Sequence, residues 1–235
     1  MTGGTTVTEP PGELIGRGRT ADVFALGDGT VLRRYRDGQS AEREGGLLRY
    51  LTGEGFPVPA VRAAQGADLV MERLHGPTML GALVTGELDV GPAMTVLADL
   101  HRALRSVRPP PPAPQVAAHG LVHLDLHPDN VIMVPGRGPV LIDWNNAGTG
   151  PGDLDLAMTA LIMAEVAVDP AGADLVGALH DQLRHAVGLF LAAAGGDPVA
   201  ELDEAVRRRA ANVTLSSVER RASVRAGDLV AELAR

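Results

Sequence analysis

Over the first third of the chain, apolar and polar positions alternate in short runs, and beyond that they fall into helical spacing. Residues 13–27 contain Leu14-Ile15-Gly16-Arg17-Gly18-Arg19-Thr20-Ala21-Asp22-Val23-Phe24, which predicts a strand, a glycine turn and a second strand. After the Asp28-Gly29 turn, residues 30–36 predict a third strand with Val31, Arg33 and Tyr35 on one face and Arg34 solvated on the other. Residues 40–53 read as a helix with Ser40 at its N-cap and Glu44, Leu48 and Leu51 sharing a face. Phe56-Pro57-Val58-Pro59 breaks the chain before two more strands, 60–65 and 69–74, and His75-Gly76-Pro77 closes this half. From 91 to 107, Met94, Leu97, Ala98, Leu100, His101 and Leu104 follow helical spacing, with His101 expected to be an ordinary core histidine. Pro109 to Pro112 stops that helix and begins a stiff connector to Gln115. Val131 to Val134 and Val140 to Ile142 predict a hairpin around a Pro135-Gly136-Arg137-Gly138-Pro139 turn. Helical blocks are expected at 172–193, 199–225 and 228–234, with Leu175, Leu179, Leu183, Ala186, Leu189 and Phe190 facing a core.

Composition bounds the class. With 235 residues, 45% of them apolar, the chain can bury one two-lobed domain or two small ones. It has no apolar run of bilayer length, and residues 1–11 read as a flexible leader without a signal pattern, so a soluble cytoplasmic protein with no membrane partner is expected. Cysteine is absent, which excludes disulfides and thiol catalysis. A net charge of -8 argues against a nucleic-acid partner and is compatible with a cationic substrate, although it equally serves ordinary solubility. All 21 basic residues are arginine, so any role usually given to lysine falls to arginine or is missing.

The most informative stretch is His123-Leu124-Asp125-Leu126-His127-Pro128-Asp129-Asn130, followed by Leu141-Ile142-Asp143-Trp144. The spacing of Asp125 and Asn130 matches the kinase catalytic loop H-R-D-x-x-x-x-N, and Asp143 stands where D-F-G would open. A hydroxyl attacking the terminal phosphate of ATP must be oriented and deprotonated, which suits Asp125 as base. Dense phosphate charge calls for a magnesium ion, which suits Asn130 and Asp143 as ligands. The expected hairpin brings those two together. Two other readings stand beside this one: a plain polar turn at 128–130, and a zinc or iron site built from His123, Asp125 and His127.

The runs VHLDLHPDNVIM and VLIDWNNAGTGPGDLDLA resemble the aminoglycoside phosphotransferase family, the small-molecule branch of the protein-kinase-like fold. The resemblance implies an α+β, two-lobed fold: a small antiparallel N-lobe sheet with one helix at 12–76, and a mainly helical C-lobe at 77–235. Within the C-lobe, 121–157 would hold the catalytic loop and 158–235 the substrate-side helices, with the 91–107 helix central beneath the loop. It also implies ATP and Mg2+ as cofactors and a small hydroxylated acceptor, aminoglycoside-like in preference. Gly16, Gly18 and Thr20 match the glycine loop except that Ala21 stands at its third glycine. Val31 would cover adenine, Arg33 takes the place of the strand lysine with Glu44 as partner (Glu42 the alternative), and backbone groups of Glu72 and Leu74 would meet the adenine edge. His123 and Asp155 are expected to support the loop. Leu124 in place of arginine and the short interval 144–154 argue against a phosphorylated activation segment, and so for a small-molecule acceptor. Acidic residues Asp169, Asp174, Asp181, Glu201, Asp203 and Glu204 could line a cationic cleft, although charge on solvated helix faces is the commoner explanation. The rival in a different class is a non-catalytic nucleotide-binding module, motivated by Arg33.

Overall fold

The computed structural model describes residues 12–111, 119–168 and 170–235, with only the backbone of 170–181. The expected leader, the connector from 112 through Gln115, Asp169, and the side chains of Leu175, Leu179, Asp174 and Asp181 lie outside what is described. The chain divides into two compact units, one running up to Arg49 and resuming at Pro59–Leu74, the other comprising Tyr50–Val58 and His75–Arg235.

In the first unit, β1 (Leu14–Arg17), β2 (Ala21–Ala25), β3 (Thr30–Tyr35), β4 (Val61–Gln65) and β5 (Asp68–Glu72) form one antiparallel sheet in the order β1-β2-β3-β5-β4. Consecutive strands joined by short turns explain all but one neighbour relation. The exception follows from the single helix α1 (Ala41–Gly53), which separates β3 from the β4–β5 pair. Central β3 is buried on both faces, from Thr30 through Arg33. Arg34, expected in solvent, is half-buried because its Nε and Nη2 each donate at 2.7 Å to the Asp68 carboxylate on β5. Gly45 lets α1 come close to the sheet: a Cβ there would stand 2.5 Å from Ala64 Cβ.

The second unit begins with helix α2 (Met79–Thr85), capped by the Thr78 hydroxyl accepting from Gly81 N at 3.0 Å, which the sequence pattern did not predict. Next come α3 (Val90–Ser106), β6 (His119–Val122), β7 (Val131–Val134), β8 (Gly138–Leu141), β9 (Gly148–Pro151), α4 (Gly152–Val168), α5 (Pro170–Ala194), α6 (Leu202–Ala211) and α7 (Ser217–Leu233). The central helix is α4 and not α3. Leu154 through Leu161 are buried without interruption, and the helix packs against α5, α6 and α7. An all-round apolar sequence marks a helix enclosed by others. The expected helix over 199–225 breaks at 212–216, because Ser216 starts α7 with a reciprocal capping box to Glu219. Buried Glu165 on α4 ties both flanking helices to it, through Arg209 of α6 and the Ser223 hydroxyl of α7, the latter at 2.5 Å. Of the expected stripe on α5, Leu183, Ala186 and Phe190 are buried and Leu189 is half-buried. Among the described residues no helix is long and apolar enough to cross a membrane.

Candidate active site

Two nested ladders create the site of the second unit. The outer one pairs β6 with β9, so that Val122 faces Gly148, and the inner one pairs β7 with β8, so that Val131 faces Leu141. Residues 123–130 and 142–147 are therefore held at both ends and run beside each other. The inner hairpin is fastened on both edges, by Leu141 N to Pro57 O at 2.9 Å and by Met133 N to Pro77 O at 2.9 Å. At the latter edge Gly76 adopts φ 156, and a Cβ there would lie 2.1 Å from Met133 O, so only glycine fits.

The two connecting segments are cross-linked. Ile142 N donates to Asn130 O at 2.9 Å, and His123 Nε2 donates to Ile142 O at 3.1 Å. The buried His123 ring stands 4.6 Å from the Trp144 ring, edge to face, and Trp144 in turn meets Phe56 at 5.6 Å. Burial pushes the His123 imidazole below its ordinary pKa, against the opposing charges of Asp155, Asp125 and Asp143. It serves as a neutral strut.

Asp155, in the first turn of α4, supports the loop from below. Its Oδ1 accepts from Leu124 N at 2.6 Å and from His123 N at 3.1 Å, and Oδ2 lies 3.4 Å from His101 Nδ1. It is 3% exposed, so it is not a solvated helix-start acid. Burial alone would raise its pKa, but the hydrogen bond and charge of His101, followed by His123 and the Leu124 amide, hold it below the usual carboxylate range. One helical turn on, Thr159 Oγ1 donates to Leu126 O at 2.5 Å and meets His101 Nε2 at 3.0 Å. His101, read from sequence as an ordinary core histidine, thus bridges both supports. Its position in an apolar helical stripe gave no sign of that.

Among the described residues, Leu124 (φ 64) and Asp143 (φ 63) are the non-glycine residues with left-handed backbone. Both flank the chemistry, one beside Asp125 and one at the proposed metal ligand itself. Such conformations persist only where surrounding bonds enforce them, and they concentrate at functional sites. Asp125 is partly exposed: Asn146 Nδ2 donates to its Oδ2 at 3.4 Å, and His127 Nε2 lies 3.8 Å from its Oδ1. Asn146 was not expected from sequence. Asn130 Nδ2 donates to the Asp125 carbonyl at 2.9 Å and faces His127 Nε2 at 3.2 Å. With its nitrogen so engaged, the Asn130 amide presents oxygen as the end it can offer a cation. An amide oxygen and one carboxylate are hard donors that suit magnesium sharing its shell with phosphate. They do not suit zinc. His123 Nε2 is committed to Ile142 O, and among the described residues no group of three or more His, Cys, Asp or Glu converges on a metal position.

The first unit carries the other expected residues. Val31, 6% exposed, pairs with Met71 across the sheet. Arg33 Nη1 stands 3.6 Å from Glu44 Oε1, both buried, whereas Glu42 is occupied by Ser40 and by Gly66 N. The glycine turn is closed: Gly18 N donates to Ala21 O at 2.9 Å, and Arg36 Nη2 donates to the carbonyls of Gly18 at 2.5 Å and Arg19 at 2.6 Å. Gly16 packs beside Val23, and Thr20, half-buried, accepts at its carbonyl from Arg36 N at 2.9 Å. Glu72 gives its amide to Ala60 O at 2.8 Å, while half-buried Leu74 follows the end of β5. Of the acids named as possible cleft lining, Glu204 is held below its ordinary pKa by hydrogen bonds from Arg208 and then Arg207 on its own helix. Glu201 is half-buried and Asp203 exposed.

The sequence model of the family described as "phosphotransferase enzyme family" matches residues 12–117 and 95–202. No curated protein sequence matches the chain. Among solved structures, a gentamicin complex of APH(2")-IIa is similar with a TM-score of 0.60 at 13% identity, covering 93% of this chain and 90% of the other. ADP-bound aminoglycoside phosphotransferase APH(2'')-Ib gives 0.58 at 14%, covering 94% and 93%. A microcompartment-associated aminopropanol kinase gives 0.53 at 15%, covering 94% and 89%. At these identities the likeness is one of fold, and that fold is the kinase-like α+β arrangement anticipated from the sequence.

Proposed function

Because the chain belongs to the phosphotransferase enzyme family, we propose that it moves the terminal phosphate of ATP to a hydroxyl of a small molecule, with magnesium. The observation that carries this reading is the cross-linked pair of segments that gathers Asp125, Asn130 and Asp143. Asp125 receives the acceptor's proton as general base, a contribution of roughly 10²- to 10⁴-fold. Asn130 and Asp143 would hold magnesium, which when bound neutralises phosphate charge. Arg33 is assigned to phosphate, Val31 to the adenine face, the Glu72 carbonyl and Leu74 backbone to the adenine edge, and Gly16, Gly18 and Thr20 to the phosphate side of the first unit. His123 and Asp155 hold the loop. The acceptor favoured is an amine-bearing alcohol of aminoglycoside type, in keeping with the net charge of -8 and with the gentamicin-bound and aminopropanol-acting neighbours. The reading carries with it a cytoplasmic location, where ATP is supplied.

The test is calorimetric ATP binding with and without magnesium, then transfer to a panel of amino alcohols and aminoglycosides. Asp143→Ala should lose the magnesium-dependent part of binding, and Asp125→Asn should bind nucleotide normally while transfer disappears. Full turnover in Asp125→Asn would remove Asp125 from the role. Nucleotide binding without transfer to any acceptor would favour the rival reading, a non-catalytic module, which Arg33 at the lysine position motivates.

A further inference from the structure

Consecutive peptide groups of the glycine loop turn their carbonyls toward a single residue. Arg36 Nη2 donates to Gly18 O at 2.5 Å and to Arg19 O at 2.6 Å, and Arg36 N donates to Thr20 O at 2.9 Å. Along a strand successive carbonyls face alternate sides. Carbonyls face one way within a helical turn, where later amides bind them, but no helix starts here, since β2 begins at Ala21. The Arg36 side chain stands in for those amides. Although exposed, it is pinned at both ends of its fork, because Nη1 donates at 2.6 Å to Asp22 Oδ1, an oxygen that also lies 3.4 Å from Arg17 Nε. A trans peptide sets its N–H opposite its C=O. In the two peptide groups that the guanidinium holds, the amides of Arg19 and Thr20 therefore point away from Arg36.

We propose that Arg36 is a positioning residue for the phosphate side of this loop: by keeping the Gly18 and Arg19 carbonyls on its own side, it turns the amides that follow them onto the other, toward a nucleotide phosphate. The inference rests on the nucleotide role given to the loop above. Successive amides that face one way form a concavity that favours anions. A charged donor on a carbonyl also polarises that peptide group, which strengthens the N–H at its opposite end. Part of the charge of Arg36 thus reaches a phosphate through the loop, without contact between the two. The residue is well placed for the task. Its backbone bond to Thr20 continues the β2–β3 ladder one step beyond the Ala21–Tyr35 pair, so the end of β3 carries the side chain to the back of the loop.

The experiment measures calorimetric affinity of wild type, Arg36→Ala and Arg36→Lys for ATP with magnesium and for adenosine, which has no phosphate. Arg36→Ala is expected to weaken ATP binding roughly tenfold and adenosine binding by less than about twofold. Arg36→Lys, whose ammonium can donate to both carbonyls, should recover most of the loss. Equal losses for ATP and adenosine, as a general structural role would give, or no loss of ATP affinity, overturn the proposal. A crystal structure of Arg36→Ala supplies a readout that needs no nucleotide: the Gly18–Arg19 and Arg19–Thr20 peptides should no longer keep both carbonyls on the side of position 36. Unchanged peptide orientations overturn the proposal even where ATP affinity falls, because Arg36 would then act as a bare charge. Wild-type protein that binds no ATP would refute the phosphotransfer reading instead, and the crystallographic comparison would still decide whether Arg36 sets the loop.

Discussion

Replacing Asp155 by asparagine isolates one carboxylate's hold on the reactive loop at almost constant volume. In the native site its two oxygens face Leu124 N at 2.6 Å and His123 N at 3.1 Å, with His101 beside them. Asparagine retains one oxygen, which keeps the shorter contact to Leu124. That oxygen, in the place of Oδ1, also keeps the His123 amide at 3.1 Å, but the NH2 group in the place of Oδ2 removes that amide's second acceptor and the charged partner of His101, a loss of charged hydrogen bonding worth about 1–3 kcal/mol. Loss of the charge weakens the remaining bond, and the left-handed backbone of Leu124, which by itself costs about 1–2 kcal/mol, is held less firmly. The expected destabilisation is about 2–4 kcal/mol out of a total of about 5–15 kcal/mol, leaving a folded protein with a displaced loop. Trp144, the one tryptophan, is buried against His123, so urea unfolding followed by its fluorescence reads the region directly. Because the folded-state pKa of Asp155 is depressed, its contribution is present above about pH 4 and lost as pH falls through the folded value, so the gap between wild type and variant should narrow in acid. A midpoint shift below about 0.5 kcal/mol, together with unchanged turnover, would refute the assignment of Asp155 as the loop's support.

Two further outcomes follow from buried charge. His123 is depressed in the folded state and titrates near its ordinary value when unfolded, so protonation favours unfolding. Stability should fall as pH drops below about 6.5, by up to about 1.4 kcal/mol per unit, and His123→Phe should flatten that slope in urea melts across pH 5 to 8. A parallel slope in the variant would assign the pH dependence to other groups. Arg209→Met leaves the Glu165 carboxylate buried with, among the described residues, only Ser223 as side-chain donor and should cost about 3–5 kcal/mol, whereas adding Glu165→Leu should restore most of the loss in thermal or chemical denaturation.

Much of the candidate site was legible because the proposed phosphoryl transfer would constrain both residue type and spacing. Asp125, Asn130 and Asp143 could be picked out by number, and the apolar runs on either side of the 135–139 turn implied the hairpin that unites them. Alternation likewise located all five strands of the first unit, and Glu44 was matched to Arg33 by its place on the helix together with the lysine–glutamate pair that the family resemblance implies. What stayed hidden depends on contacts distant in sequence. His101 looks like any apolar-stripe residue until Thr159 and Asp155 arrive from α4. Tyr35 reads as a strand aromatic until Glu44 is placed over it. Asn146 lies in a polar run with no periodicity to single it out. The misassigned central helix has a physical cause too: α4 is apolar on every side, so it lacks the one-sided stripe by which α3 was recognised. Arg34 was misread as solvated, because ion pairing across strands leaves no trace in the charge pattern alone.

Helix α4 grips the reactive loop through Asp155 and Thr159 at one end and fastens α6 and α7 through Glu165 farther along. This makes it a natural seam for diversification. Residues of α6 and α7 that never touch α4 are free to drift or to be exchanged as a cassette between relatives, and the reactive loop registers none of it so long as Arg209 and Ser223 are kept. On the proposed substrate-side role of α6 and α7, mutational libraries aimed at new acceptors belong on the outward faces of those two helices, while any graft that breaks the Glu165 junction loses its anchorage before its chemistry can be judged.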